Sequence, residues 1–118
     1  MLFYFQFSAT NPSAVKERNE ESMVVHSLVL ADNVDTAADQ VISSMRSVYL
    51  KIGDIRRAFA VRSREELGHD QRLLSLSEQV ERSRYAFLFE FPNGSEALYG
   101  PSLSPFIART PFPGSSSV

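Results

Sequence analysis

Aromatic side chains recur at every second position of one short stretch, and this constrains the fold more than any other feature of the sequence. Successive side chains of an extended backbone point to opposite faces, so the rings of residues 85–91 share one face. The sequence Pro-Asn-Gly-Ser at 92–95 then favours a tight turn, and residues 97–99 are the expected return strand. Residues 2–8 show the same alternation, with Phe3, Phe5 and Phe7 on one face. Both patterns predict strands whose rings pack into the core.

Such a row could instead face outward as a stacking platform for exposed bases in an RNA-binding sheet. The row contains no interleaved Lys or Arg, and the nearest basic residues, Arg82 and Arg84, precede it. The sequence therefore favours packing over base stacking.

The first half of the chain predicts a second strand and a helix. The nearly continuous apolar run at 22–31 indicates a strand that pairs antiparallel with the first one. Apolar residues at steps of three and four predict a helix between residues 34 and 49. Asp32 is its expected cap, and Gly53 is expected to close its carboxyl end.

The middle of the chain predicts a further strand and two short helices. Residues 54–62 fit a strand in which Arg57, Phe59 and Val61 share a face, although a continuing helix is the alternative. Two capping-box signatures predict helices at 64–73 and 76–83.

Together these elements predict an α+β fold with an antiparallel sheet of four to five strands. The expected order is β-β-α-β-α-β-β, with the helices on one face of the sheet. Because two strands precede the first helix, this is not the plain ferredoxin-like repeat, but a ferredoxin-like variant with an extra edge hairpin stays open. Residues 1–100 are the expected single domain. Residues 101–118, with four prolines and five serines, are the expected carboxyl-terminal arm.

The composition argues against several classes of function. The chain of 118 residues has a formal charge of −2, so its net charge does not attract nucleic acid or an anionic membrane. It has no cysteine, which excludes disulfides, thiolate zinc ligands and a cysteine nucleophile. The apolar start lacks the basic region of a targeting segment, and no run approaches the roughly 18 apolar residues of a membrane span. A soluble cytoplasmic protein is expected.

Neither histidine has the neighbours that catalysis or metal binding would need. His26 lies in the apolar strand pattern and is interpreted as buried and hydrogen-bonded, whereas His69 is interpreted as a surface residue. The sequence contains no phosphate-binding glycine loop and no Gly-x-Ser-x-Gly motif. We therefore expect no catalytic residue, no metal ligand and no cofactor. A ligand or enzymatic pocket near His26 is the least favoured hypothesis.

Positive charge is concentrated in the middle of the chain. Residues 46–84 contain nine Lys or Arg against six Asp or Glu, whereas residues 1–45 contain two against six. A guanidinium group can donate two parallel hydrogen bonds to a phosphate or a carboxylate. The candidate partner-binding residues of the domain are therefore Arg56, Arg57, Arg62, Arg64 and Arg72. The alternative is a salt-bridged surface, because acidic residues are interspersed among them.

Three apolar residues of the proline-rich arm are the other candidates for partner binding: Phe106, Ile107 and Phe112. The expected function is that of a non-enzymatic protein-binding module, a small adaptor, inhibitor or immunity-type protein, with an acidic protein as a suitable partner. The alternative is a nucleic-acid-binding regulator that uses the arginine-rich middle segment. Homo-oligomerisation through the arm is a further option.

Overall fold

The computed structural model describes residues 1–11 and 22–100 and confirms the predicted α+β class. Within the described residues the elements follow the predicted order, with a 3₁₀ helix in front of the second α-helix. They are β1 (Leu2–Thr10), β2 (Ser22–Leu30), α1 (Val34–Ser47), β3 (Lys51–Val61), the 3₁₀ helix (Arg64–Leu67), α2 (Gln71–Ser83), β4 (Tyr85–Glu90) and β5 (Glu96–Tyr99). The division of the chain into a domain and an arm stays a prediction, since residues 101–118 lie outside the described ranges.

The five strands form one sheet in the order β3-β1-β2-β4-β5, and every neighbouring pair is antiparallel. The hairpin of β1 and β2 lies at the centre, as the apolar character of both strands requires. Strand β3 is one edge of this sheet and β5 is the other.

The two α-helices lie on opposite faces of the sheet, so the prediction that they share one face is wrong. One core cluster contains the three phenylalanines of β1 together with Val41 and Met45 of α1. The other cluster contains Tyr4 of β1 together with Leu76 and Val80 of α2. The central strands carry apolar side chains on both faces, and a single helix layer would leave one of these faces in water.

The alternating aromatic rings are core residues, as predicted. Phe7, Phe87 and Phe89 are at most 1% exposed, and the rings of Phe87 and Phe89 stack with their centroids 6.4 Å apart. These rings are therefore not available to stack on bases.

Both predicted ends of the first helix are wrong. The side-chain oxygen of Asn33, not of Asp32, accepts a hydrogen bond from the Thr36 amide at 2.8 Å and caps the helix. At the other end the chain reverses through Tyr49, which has a φ of 61°, and Gly53 lies inside β3. A polar turn residue can cap a helix from either of two adjacent positions, and periodicity alone does not distinguish them.

The segment predicted as two short helices is a 3₁₀ helix followed by the longer helix α2. Asp70 caps α2 by accepting a hydrogen bond from the Arg72 amide at 2.9 Å. Gly68 has a φ of 74°, which favours glycine and separates the two helices.

Strand β3 is longer than the strand β1 with which it pairs, and two bulges absorb the difference. Gln6 pairs with Arg57 while the next residue, Phe7, pairs with Ile55, so Arg56 is an extra residue in the ladder. A second shift follows between Phe7 and Ala9. The pairing is regular only in the carboxyl-terminal part of β3, from Arg57 onward.

Candidate binding groove beside strand β3

The five candidate arginines of the domain separate into two groups. Arg56 and Arg57 lie on β3, and Arg62 and Arg64 follow directly after this strand; all four are exposed. Arg72 lies on α2 and is surrounded by carboxylates, so it does not belong to the same surface. Phe106, Ile107 and Phe112 lie outside the described residues, and their role stays a prediction.

Arg57 has a defined position although it is exposed. Its guanidinium carbon lies 5.2 Å from the centre of the Phe59 ring and 5.9 Å from the centre of the Tyr4 ring. No carboxylate of the described residues forms an ion pair with Arg57. Stacking on two rings restricts the guanidinium while its hydrogen-bond donors stay available. Arg57 is thus an oriented cation without a partner in the described part of the chain.

A groove runs beside β3, between this strand and the 3₁₀ helix. Its outer part is an open depression of about 470 Å³ lined by Arg57, Phe59, Ala60, Arg62 and Glu66. Its inner part, of about 180 Å³, shares three of these residues and reaches Tyr4 and Leu73. We call the two parts together the edge groove. Its outer opening lies at an edge of the sheet, where an incoming chain can approach.

One of the acidic residues that line the edge groove, Glu66, accepts a hydrogen bond from within the protein. Oε1 of Glu66 accepts a hydrogen bond from the Arg62 amide at 2.6 Å, which fixes the turn that follows β3. Arg64 lies 3.9 Å from Glu78, but both side chains are about 60% exposed, so the pair contributes little. The cations that line the groove are Arg57 and Arg62, and its anions are Glu65 and Glu66.

Arg72 is the centre of a separate carboxylate cluster. Its Nε and Nη2 donate to the two oxygens of Asp70 at 3.0 and 2.7 Å. Its Nη1 donates to Glu90 and Glu96 on the edge hairpin of β4 and β5. The cluster ties the start of α2 to these strands, so the guanidinium of Arg72 is already engaged by three carboxylates of the protein itself.

The pKa values in the cluster follow from these contacts. The hydrogen bonds from Arg72 lower the pKa of Asp70 to about 2. Burial alone would raise the pKa of Glu90, but Arg72 and His26 together lower it below its usual value. The hydrogen bond to Asp70, followed by those to the two glutamates, raises the pKa of Arg72. Asp70 and Glu90 are therefore anionic and Arg72 is cationic at neutral pH.

His26 connects the cluster to the floor of the edge groove. The Tyr4 hydroxyl lies 2.7 Å from its Nδ1, and its Nε2 lies 3.3 Å from Oε1 of Glu90. The second contact has the distance of an ion pair but not the direction of a hydrogen bond, so Nε2 has no hydrogen-bond partner among the described residues. The predicted burial of His26 is confirmed, since the residue is 6% exposed. Its ring is predicted to be fully hydrogen-bonded, but only Nδ1 has a hydrogen-bond partner among the described residues.

Tyr4 and the two histidines differ in their position relative to the edge groove. Burial raises the pKa of Tyr4 to about 12, so its phenol is protonated at neutral pH. Neither part of the edge groove is lined by His26. His69 is exposed in the turn between the two helices that follow β3. Among the described residues no group of three or more His, Asp or Glu side chains could hold a metal ion.

Several residues that line the edge groove were not among the candidates from the sequence, and Tyr4, Phe59 and Glu66 are the ones that position Arg57 and Arg62. A signal existed for Phe59, because it shares a strand face with Arg57 in the predicted strand at 54–62. For Tyr4, the sequence indicates only that its side chain lies on the strand face opposite to that of Phe3, Phe5 and Phe7. The side chain of Glu66 was assigned to a capping box, and the structure instead places it against the Arg62 amide.

The chain matches no protein-family model, and no curated protein and no solved structure matches it significantly. In the described ranges no helix is both long and apolar enough to cross a membrane.

Proposed function

We propose that this protein is a non-enzymatic binding module that holds an acidic surface of another protein in the edge groove. The observation that carries this proposal is Arg57, an exposed guanidinium oriented by Tyr4 and Phe59 and paired with no carboxylate of the described residues. A carboxylate of a partner can accept two hydrogen bonds from such a group with little loss of side-chain entropy.

The charge around the groove supports an acidic partner. Residues 51–66, which include the two glutamates that line the groove, contain five basic and three acidic side chains, so this stretch has a net charge of +2. The chain as a whole has a formal charge of −2, which makes the basic stretch a local feature. Complementary charge raises the rate of encounter and selects among partners.

A nucleic acid is a weaker candidate for the same surface. Phe87 and Phe89 are buried and offer no stacking platform, and Arg72 is held by three carboxylates. Glu65 and Glu66 line the inner groove and repel phosphates and carboxylates alike, so an anion of either kind is confined to the outer part beside Arg57 and Arg62. The remaining arginines favour a carboxylate that enters beside β3 over an extended phosphate backbone.

The test is capture of partners from extracts of the source organism by the full chain and by two single variants. Arg57→Ala removes the proposed anchor, whereas Arg82→Ala removes an equal charge from an exposed position at the end of α2. We expect a protein that survives nuclease treatment, is retained by Arg82→Ala, and is lost or strongly reduced with Arg57→Ala. Arg57→Lys should retain part of the binding, because it keeps the charge but not the planar fork.

Two results would contradict the proposal. Equal capture by Arg57→Ala and Arg82→Ala would show that the edge groove is not the binding surface. Loss of all captured material after nuclease treatment, together with a steep decrease of binding with the logarithm of salt concentration, would support the nucleic-acid alternative instead.

A further inference from the structure

We infer that the partner binds as an extended acidic segment that adds a sixth strand to the sheet along residues 57–61 of β3. This inference rests on the proposed function, because it assigns the form in which the acidic partner enters the edge groove. Strand addition requires hydrogen bonds between the partner and the backbone of β3, in addition to the contact with the Arg57 side chain.

The carboxyl-terminal half of β3 pairs regularly with β1 on one side. Residues 57–61 pair one to one with β1, from Gln6 back to Leu2, without a bulge. In the sheet formed by the described residues, β3 has a neighbour on one side only. Alternate residues of an antiparallel strand direct their N–H and C=O groups to opposite edges, so about half of these backbone groups point outward. An extended segment can pair with them.

The two halves of β3 differ in the regularity of their pairing. The amino-terminal half contains both bulges, and Oγ of Ser8 accepts a hydrogen bond from the Asp54 amide at 2.9 Å within this region. Bulges disturb the edge ladder and protect it against further pairing. The carboxyl-terminal half lacks this protection. It is about 17 Å long for five residues, which is enough for a short added strand.

Large and small side chains alternate along the regular half of β3. Arg57, Phe59 and Val61 share the face of β3 that carries Tyr4, whereas Ala58 and Ala60 alternate to the other face, and Ala60 also borders the outer groove. The two alanines leave little bulk beside the backbone of the edge. On the groove face, the open depression of about 470 Å³ can receive a side chain from the added strand.

Charge decides between a partner protein and a second copy of this chain. If β3 paired with β3 of a second copy, the basic residues of the two strands would lie close to one another, and like charges across strands are destabilising. A segment with Glu or Asp on its groove face would instead place carboxylates near Arg57 and Arg62. The geometry therefore favours an acidic segment of a different protein.

The test uses a labelled, end-capped peptide of alternating Glu and Val and two matched peptides, each added to the full chain. The first matched peptide carries N-methyl groups on alternate residues, so one edge can no longer donate hydrogen bonds. The second has Gln in place of each Glu. We expect the parent peptide to bind, with slowed amide exchange within residues 57–61. N-methylation should weaken binding by about tenfold or more, because two or more backbone hydrogen bonds are lost.

The results separate this inference from the proposed function. If the N-methylated peptide binds as well as the parent while the Gln peptide binds more weakly, strand addition is wrong and the acidic groove remains. If the parent peptide does not bind, strand addition by an acidic segment is wrong, and the capture experiment with Arg57→Ala decides the proposed function independently. Sedimentation that shows a dimer of the free chain, disrupted by the peptide, would assign the edge to a second copy and overturn the inference.

Discussion

The hydroxyl of Tyr4 lies 2.7 Å from Nδ1 of His26, and this hydrogen bond connects the edge groove with the carboxylate cluster on the same face of the sheet. The Arg57 guanidinium lies over the ring of buried Tyr4, and His26 contacts Glu90, which also accepts a hydrogen bond from Arg72. A continuous set of polar contacts thus extends from β3 across β1 and β2 to β4. Tyr4 and His26 within this set are buried, whereas Arg57 at its outer end is exposed.

Tyr4→Phe should destabilise the protein without removing the groove. The variant keeps the ring beneath Arg57 but leaves Nδ1 of buried His26 without its hydrogen-bond partner, which costs about 1–2 kcal/mol. The free energy of unfolding in urea measures this loss. The same experiment on Tyr49→Phe is the control, since Tyr49 is 82% exposed and its hydroxyl should contribute almost nothing. Equal stabilities of the two variants would show that the contact between Tyr4 and His26 contributes no stability.

Arg72→Met should be more destabilising than removal of a surface arginine. Methionine has a similar length, but without the cation the carboxylates of Asp70, Glu90 and Glu96 repel one another. Because these side chains are 29–38% exposed, the expected loss is reduced by solvent to about 2 kcal/mol.

The matched control for Arg72→Met is Arg64→Met. Its ion pair with Glu78 spans 3.9 Å between two well-exposed side chains, so its removal should cost less than about 0.5 kcal/mol. Thermal or urea unfolding at neutral pH compares the two variants. A smaller effect at position 72 than at position 64 would contradict the structural role assigned to Arg72.

Acid should weaken the fold through Asp70. Its pKa is lowered from 3.8 to about 2 in the folded protein, so the unfolded chain takes up this proton first as the pH falls. The stability that Asp70 contributes is therefore fully present above about pH 4 and is lost as the pH falls toward 2. Asp70→Asn keeps an amino-terminal cap but removes the charge, so the free energy of unfolding should depend less steeply on pH in this range. Identical pH profiles for the variant and the wild type would refute this assignment.

Much of the fold follows from local patterns in the sequence. The period of two at residues 2–8 and 85–91 identified strands β1 and β4, because burial on one face repeats with the pleat. The position of the helices relative to the sheet did not follow, since each helix is amphipathic by itself. Which sheet face it covers depends on the handedness and length of connections that no single segment encodes.

The candidate site was predictable in part. The concentration of basic residues in the middle of the chain identifies Arg57 as a candidate. The two-residue spacing between Arg57 and Phe59 also predicts that both side chains share one face of the strand. The neutralisation of Arg72 was not visible, because Glu90 and Glu96 are 18 and 24 residues away and approach only when β4 and β5 pair beside α2. Similarly, Tyr4 and His26 are 22 residues apart and meet only because β1 and β2 pair in their observed register.

The bulged half of β3 depends on close contact between Gly53 and Ser8. A Cβ atom at Gly53 would lie 2.5 Å from Oγ of Ser8, the same atom that accepts the hydrogen bond from the Asp54 amide. Relief of this clash therefore requires the serine hydroxyl to move and to give up that hydrogen bond. The position favours glycine because of space, not because of an unusual backbone conformation.

Gly53→Ala should accordingly destabilise the protein by about 1–2 kcal/mol in the wild-type background and by much less in a Ser8→Ala background. With the hydroxyl absent, the nearest atoms to the new Cβ are Ser8 backbone oxygen at 3.5 Å and the side-chain Cβ at 3.8 Å, both ordinary contacts. Urea unfolding of the four proteins of this double-mutant cycle gives the interaction energy, expected to be about 1 kcal/mol. Additive effects would mean that the backbone of β3 shifts to accommodate the methyl group, so the contact with Ser8 would not fix the bulge.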